Sequence, residues 1–208
     1  MKPYYQDKYC TIYHADCLEI MPELEPVDLL LTDPPYANRT QYESYEDTLD
    51  NLKCLIAPLM EIRSERKVIT CGVGNIYLYP QPTWILSWVT PAGTGSGPWG
   101  FCCWQPILVY GKDPYLQAGL GRRHDTFIHT ESSKKINHPC PNPDNIFKKI
   151  INRVSIAQSD LILDPFMGSG TTLVAARALG RKSIGIEIEE KYCEIAVRRL
   201  AQEVLEFG

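Results

Sequence analysis

Asp33, Pro34, Pro35 and Tyr36 stand in a row, and the four suit one kind of chemistry. A carboxylate and a proline carbonyl can each accept one N–H, and neither proline offers a competing amide donor. The tyrosine supplies a flat face for stacking. Together they form a seat for an exocyclic amino group carried on a flat ring. The tetrapeptide alone also makes an ordinary turn, so its weight depends on what stands elsewhere. A second group supplies that weight: Asp164-Pro165-Phe166-Met167-Gly168-Ser169-Gly170-Thr171-Thr172. Glycines there let a backbone approach a ligand closely, and the helix starting behind them offers unpaired N–H groups to a carboxylate. Glu187 comes about 20 residues later, where nucleotide folds place an acid on the ribose hydroxyls.

Each group closes an apolar run. Val27–Thr32 and Leu161–Asp164 read as buried strands, and the paired prolines stop the first abruptly. Ser183–Ile188 is a third strand, and it carries Glu187. Upstream, Tyr9–His14 reads as a strand and Ala15–Met21 as the start of a helix that Asp16 can cap. Thr48 to Ile62 reads as a helix with Leu49, Leu52, Leu55, Ile56 and Leu59 on one face, which Pro58 should kink or shorten. Lys67–Cys71, Thr83–Val89 and Phe101–Tyr110 give further strands; Asp144–Ser155 and Glu189–Leu205 give helices. Residues 37–47 are polar and without period, as a mobile lid would be. Gly93–Pro98 lacks the lysine and the following helix of a phosphate cradle, and reads as a flexible loop. Trp99, Phe101 and Trp104 could stack on a displaced base, but core packing is the expectation for rings beside a buried strand. Gly111–Asn137 is irregular and basic. The alternation predicts a doubly wound, mostly parallel α/β sheet, with both motifs at the carboxyl edge where such sheets hold ligands.

At 208 residues the chain is long enough for one domain with a real core. Its net charge of −4 does not suggest a nucleic-acid binder, yet the distribution is uneven. Lys112, Arg122, Arg123, Lys134, Lys135, Lys148, Lys149 and Arg153 face only Asp113, Asp125, Glu131 and Asp144, so 112–153 is +4 and the remainder −8. Phosphate contacts are therefore expected from that segment. None of the eight cysteines is spaced Cys-x-x-Cys, so they read as reduced thiols of a cytosolic protein, mostly small core residues. Neither a signal-peptide pattern nor a membrane-length apolar run is evident.

The two motifs resemble those of the amino-group DNA methyltransferases that use S-adenosylmethionine (AdoMet). Catalytic motif first and AdoMet motif last is similar to the family's permuted beta arrangement. The likeness covers roughly positions 8 to 205 and is weakest between about 72 and 137. It implies a seven-stranded sheet of the AdoMet-dependent methyltransferase (Rossmann-like) type, with one antiparallel hairpin strand near the edge. It also implies a single methyltransferase domain over 1–208, with a short target-recognition insertion at about 111–137. Carried over to this chain, the catalytic residues are Asp33, Pro34, Pro35 and Tyr36. The cofactor-binding residues are Asp16, Asp164, Phe166, Gly168, Gly170, Thr171 and Glu187, with Asp16 reading the cofactor's adenine. Neither a metal nor a covalent intermediate is required. The implied reaction is methylation of adenine N6 in DNA. The family's cytosine-N4 branch more often carries Ser-Pro-Pro-Tyr, so Asp33 favours adenine. Cytosine-N4 methylation, an RNA substrate and a non-catalytic AdoMet-binding partner subunit stay open, the last because the recognition region is thin. His138-Pro139-Cys140-Pro141-Asn142-Pro143 resembles the segment preceding the family's AdoMet motif, with Asn142 in place of a lysine. Many relatives work as dimers, so a homodimer is compatible, and the resemblance points to the cytoplasm of bacteria or phage-infected cells.

Overall fold

Strands and helices alternate as the apolar runs require. The computed structural model describes residues 2–93, 95–129 and 144–206. The strands are β1 (Tyr5–Gln6), β2 (Cys10–His14), β3 (Val27–Thr32), β4 (Ser64–Thr70), β5 (Trp84–Val89), β6 (Ser96–Gly97), β7 (Gly100–Phe101), β8 (Trp104–Tyr110), β9 (Thr126–Ile128), β10 (Leu161–Asp164) and β11 (Lys182–Glu187). The helices are α1 (Cys17–Ile20), α2 (Leu49–Glu61), α3 (Pro114–Gln117), α4 (Asp144–Val154), α5 (Thr171–Ala178) and α6 (Glu190–Glu206).

Among the described residues nine strands form one sheet in the order β1-β2-β11-β10-β3-β4-β8-β5-β9, and β6 pairs with β7 in a separate ribbon. From β2 to β4 every neighbour is parallel. β8 runs against both β4 and β5, so it is the one reversed strand of the expected seven. The count reaches nine because β1 and β9 extend the two edges. Both are too short to show a hydrophobic period in the sequence.

β3 is apolar nearly throughout because both of its faces are covered. Leu29 and Leu31 join the cluster under α4 and α5, with Phe147, Ile150 and Ala175. Leu30 joins the cluster on the opposite face, with Leu55 and Leu59 of α2. The third cluster joins α5 to α6 through Leu173, Ala196 and Leu200.

Several expectations change here. α2 runs unbroken through Pro58; the proline falls in the last turn, where only one backbone bond is lost before the helix ends. Leu52, Leu55, Ile56 and Leu59 are buried as expected, but Leu49, the first helical residue, is exposed. Irregular 111–129 contains α3 and β9, whose Phe127 is buried against the core. The remainder of the expected insertion, with Lys134, Lys135 and the segment 138–143, lies outside the described residues. Cys10, Cys17, Cys71 and Cys193 are buried, whereas Cys54 and Cys103 are exposed. The rings expected in the core are not there: Trp99 is 102% exposed and Phe101 84%. The chain folds back in the β6–β7 ribbon before β8 begins, so these rings never reach the sheet.

Candidate active site

Because β2, β3, β10 and β11 are parallel, their carboxyl ends gather on one edge. A cavity of about 430 Å³ opens there. Asp33, Pro34, Pro35 and Tyr36 line one side; Asp164, Phe166, Gly168, Thr171 and Glu187 line another, with Asp16 beside them. Two stretches more than 120 residues apart in sequence thus share one cavity.

Asp33 follows β3 directly. The register Thr32↔Ile69 places Thr70, the last residue of β4, alongside it. The Thr70 hydroxyl and the Tyr36 hydroxyl both donate to Asp33 Oδ1, fixing the plane of the carboxylate. Burial, then the neighbouring Asp33 charge, pushes the Tyr36 phenol well above its ordinary range. Its ring lies over Gly72, whose φ is +67°; a Cβ there would stand 3.3 Å from the ring. Asn75 Nδ2 holds the Tyr36 carbonyl at 2.7 Å. Thr70, Gly72 and Asn75 escape sequence reading because only the strand order brings β4 beside β3.

Asp164 ends β10 and is buried. It accepts from Thr32 Oγ1 at 2.8 Å, Thr172 Oγ1 at 2.5 Å and the Phe166 amide at 3.1 Å. Burial raises its carboxyl to about 6 against the pull of these donors. Asp164 thereby ties β3, the glycine turn and α5 together. Glu187 ends β11 and accepts from the Gly168 amide at 3.0 Å and the Glu189 amide at 2.8 Å. Burial lifts it to about 7. Asp16 caps α1, accepting from the Leu18 amide at 2.9 Å, and also lines the cavity. Cys17 lines it too, but burial pushes its thiol to about 12, so it stays protonated and unreactive.

The polar stretch 37–47 covers the cavity through specific contacts. Buried Asp47 accepts from the Ala37, Asn38 and Thr40 amides at 2.8, 3.1 and 3.0 Å. Glu189 reaches across to the Glu43 amide at 2.6 Å and the Ser44 amide at 3.2 Å. Lys191 bridges Glu43 and Glu189. Glu189, only two residues past Glu187, is a site-forming residue that sequence reading passes over.

Two expected groups have positions that the sequence does not give. Gly170 stands just behind the cavity-lining residues, and a Cβ there would stand 2.7 Å from Ala196 Cβ of α6, so the position also admits the close approach of a helix. Gly168 is the glycine that faces the cavity. The described basic residues of segment 112–153 lie away from this cavity. β8 runs backwards and ends beside the start of β4, which carries Lys112 to the amino edge of the sheet. Asp125 is held there by Trp84 Nε1 at 3.2 Å, at the start of β5. Arg122, Arg123 and Arg153 line a second cavity at that amino edge. Arg153 is bound to Asp113 at 2.6 Å, and Arg123 lies over the Tyr115 ring at 4.8 Å.

An open, mostly parallel α/β sheet with Asp33–Tyr36 after β3 and a glycine turn after adjacent β10 has the architecture of the Rossmann-like, AdoMet-dependent methyltransferases. The chain belongs to the N6/N4 DNA methylase family, whose model, described as "DNA methylase", matches residues 81–198. It is similar to the type II methyltransferase M2.LlaDCHI of Lactococcus lactis subsp. cremoris, with 28% identity over 96% of this chain and 92% of that protein. The DNA adenine methyltransferase YhdJ of Escherichia coli (strain K12) is 48% identical over a shorter stretch, 31% of this chain and 21% of that one. Among solved structures, the M1.HpyAVI–SAM complex superposes with a TM-score of 0.72 and 26% identity, covering 92% of this chain and 98% of that chain. The protein is an amino-group DNA methyltransferase.

Proposed function

We propose that the protein transfers the methyl group of AdoMet to the N6 amino group of adenine in DNA. The observation that carries this reading is the single cavity lined by both Asp33–Tyr36 and the Gly168 turn. Asp33 at the head of the tetrapeptide, rather than serine, favours adenine over cytosine, and the local likeness to an adenine methyltransferase agrees.

The residues fit AdoMet. Glu187 is a buried carboxylate facing the cavity, and ribose hydroxyls donating to it would offset the desolvation that lifts it to about 7. Asp16 lines the cavity while keeping its capping bond, and would hold the adenine end of the cofactor. When bound, AdoMet supplies a methyl group already activated on a sulfonium.

The chain's own residues do the rest. The adenine amino nitrogen is a poor nucleophile because its lone pair is delocalised into the ring. Asp33 and the Pro34 carbonyl each accept one of its N–H bonds, which favours a pyramidal nitrogen with a localised pair in the transition state. Thr70 and Tyr36 hold Asp33 in the orientation this needs. Bound AdoMet would supply the methyl group to the nitrogen's lone pair, and the proton that the nitrogen then loses would pass by way of Asp33, which already accepts that N–H, to water. The Tyr36 ring, backed by Gly72, receives the base once it has left the duplex, offsetting part of the few kcal/mol that flipping costs.

Incubating DNA with labelled AdoMet and digesting it to nucleosides tests the reading. N6-methyldeoxyadenosine is the expected product. Labelled N4-methyldeoxycytidine would assign the chain to the other branch, and no labelled nucleoside would assign it to a binding role.

A further inference from the structure

The β6–β7 ribbon has a shape that the fold does not require. Its strands pair through Ser96↔Phe101 and Gly97↔Gly100, so Pro98 and Trp99 alone form the tip. The closing pair is two glycines, which leaves the ribbon narrow just behind the tip. Its base is clamped by Thr90 N to Cys103 O and Cys102 N to Gly95 O, both 2.8 Å. Proline stiffens the turn before the tryptophan. Trp99 is fully exposed and Phe101 nearly so. A ribbon that holds two large rings in water gains nothing from burial within this chain.

Its location suggests what the rings meet. β5 ends at Val89, paired with Trp104 at the start of reversed β8, so the ribbon rises from the carboxyl edge. Asp33 leaves that same edge at the end of β3, with β4 between β3 and β8. Strands lie about 4.8 Å apart, so β8 runs roughly 10 Å to the side of β3, and the register Thr70↔Ile107 sets Trp104 three residues, roughly 10 Å, beyond the level of Thr70. One helical turn of a duplex is about 34 Å long, so a duplex laid on this edge meets both the ribbon and the Asp33 cavity. Apolar side chains inserted between bases are a general means of holding a duplex open.

We propose that Trp99 is a DNA wedge: it enters the duplex beside the target base and fills the stack that the base vacates. Pro98 aims it, and Phe101 packs against the sugar-phosphate wall behind it. The proposal rests on the reading that this chain draws a base out of DNA, and it assigns the cost of holding the gap to the ribbon rather than to the Asp33 cavity.

The test uses two oligonucleotide duplexes carrying the sequence found methylated in treated DNA. In one the target base is normally paired; in the other it stands opposite an abasic site, where no partner opposes its exit. Stacking of one base on an aromatic ring changes binding about 5- to 150-fold. Trp99→Ala should therefore lower kcat/KM at least about tenfold on the paired duplex but less than about threefold on the abasic one. Trp99→Phe should recover part of the loss, and AdoMet affinity should stay unchanged in both variants. Equal effects on the two duplexes, including no effect on either, would overturn the wedge. A wild type that methylates neither duplex would instead overturn the functional reading beneath it.

Discussion

Titrating AdoMet binding from about pH 5.5 to about pH 8, in the wild type and in Glu187→Gln, reads the proposed ribose contact directly. Burial pushes the Glu187 carboxyl up to about 7, against amide hydrogen bonds from Glu189 and Gly168 that pull it down. Holding it there, rather than at its ordinary 4.5, corresponds to about 3 kcal/mol. The folded protein therefore keeps a proton that the unfolded chain has released. Its unfolding free energy falls as pH rises from about 4.5 to about 7 and is level above that. A ligand whose hydroxyls donate to the ionised carboxylate works in the other direction, driving the proton off. AdoMet affinity should climb by up to about tenfold per pH unit until about pH 7 and then level out. Calorimetry in two buffers of different ionisation heat counts the released proton. Glu187→Gln keeps the shape of the side chain but should lose both the climb and the proton. A wild-type affinity that is flat across the range, or a glutamine variant with the same climb, would refute the placement of the ribose on Glu187.

Thr70→Val removes one hydroxyl donor from the Asp33 carboxylate without changing shape. A hydrogen bond to a charged group contributes about 1.5–3 kcal/mol, so kcat should fall by about tenfold or more while AdoMet affinity stays within about twofold. Unchanged turnover would show that Thr70 does not position Asp33. Gly170→Ala places a Cβ 2.7 Å from Ala196 Cβ at a φ of +79°. It should destabilise the fold by about 1–3 kcal/mol in thermal unfolding, with AdoMet affinity of the folded fraction nearly intact; an affinity loss without destabilisation would return this glycine to the cofactor site. Replacing Arg122 and Arg123 together with alanine should leave the salt dependence of DNA binding unchanged. Two lost phosphate contacts would instead lower the slope of log affinity against log salt by about 1.8.

β3 and β10 are legible because each is a short apolar run closed by residues that cannot continue it. Their parallel neighbours emerge from the same alternation, and with them the edge on which Asp33 and Glu187 meet. The two short edge strands are not legible: β1 has two residues and β9 three, and register alone makes them strands. Thr70 is hidden for a related reason. Its side chain is ordinary in sequence, and only the pairing of β4 with β3 turns it toward Asp33. Gly170 is ambiguous because a glycine after a strand suits a close ligand and a close helix equally well, and only the structure brings Ala196, 26 residues later, beside it. The charge count is a different case. It adds residues along the chain without their positions, and reversed β8 carries Lys112 to the far edge of the sheet, with Arg122 and Arg123 beyond it. Trp99 and Phe101 read as core rings because the aromatic run from Phe101 reads as strand, although Pro98 and Gly100 on either side of Trp99 are turn residues.

The proposed division of labour gives Asp33 the base, and the glycine turn and Glu187 the cofactor, within one cavity. Single-turnover methyl transfer by Asp33→Ala, measured beside its AdoMet affinity, tests that division most directly. Transfer should fall far below a tenth of the wild-type rate, with AdoMet affinity within a few-fold. A variant that keeps more than about a tenth of the rate has lost less than roughly 1.4 kcal/mol of transition-state stabilisation. That result, or an affinity loss matching the rate loss, would contradict the assignment of Asp33 to the amino group.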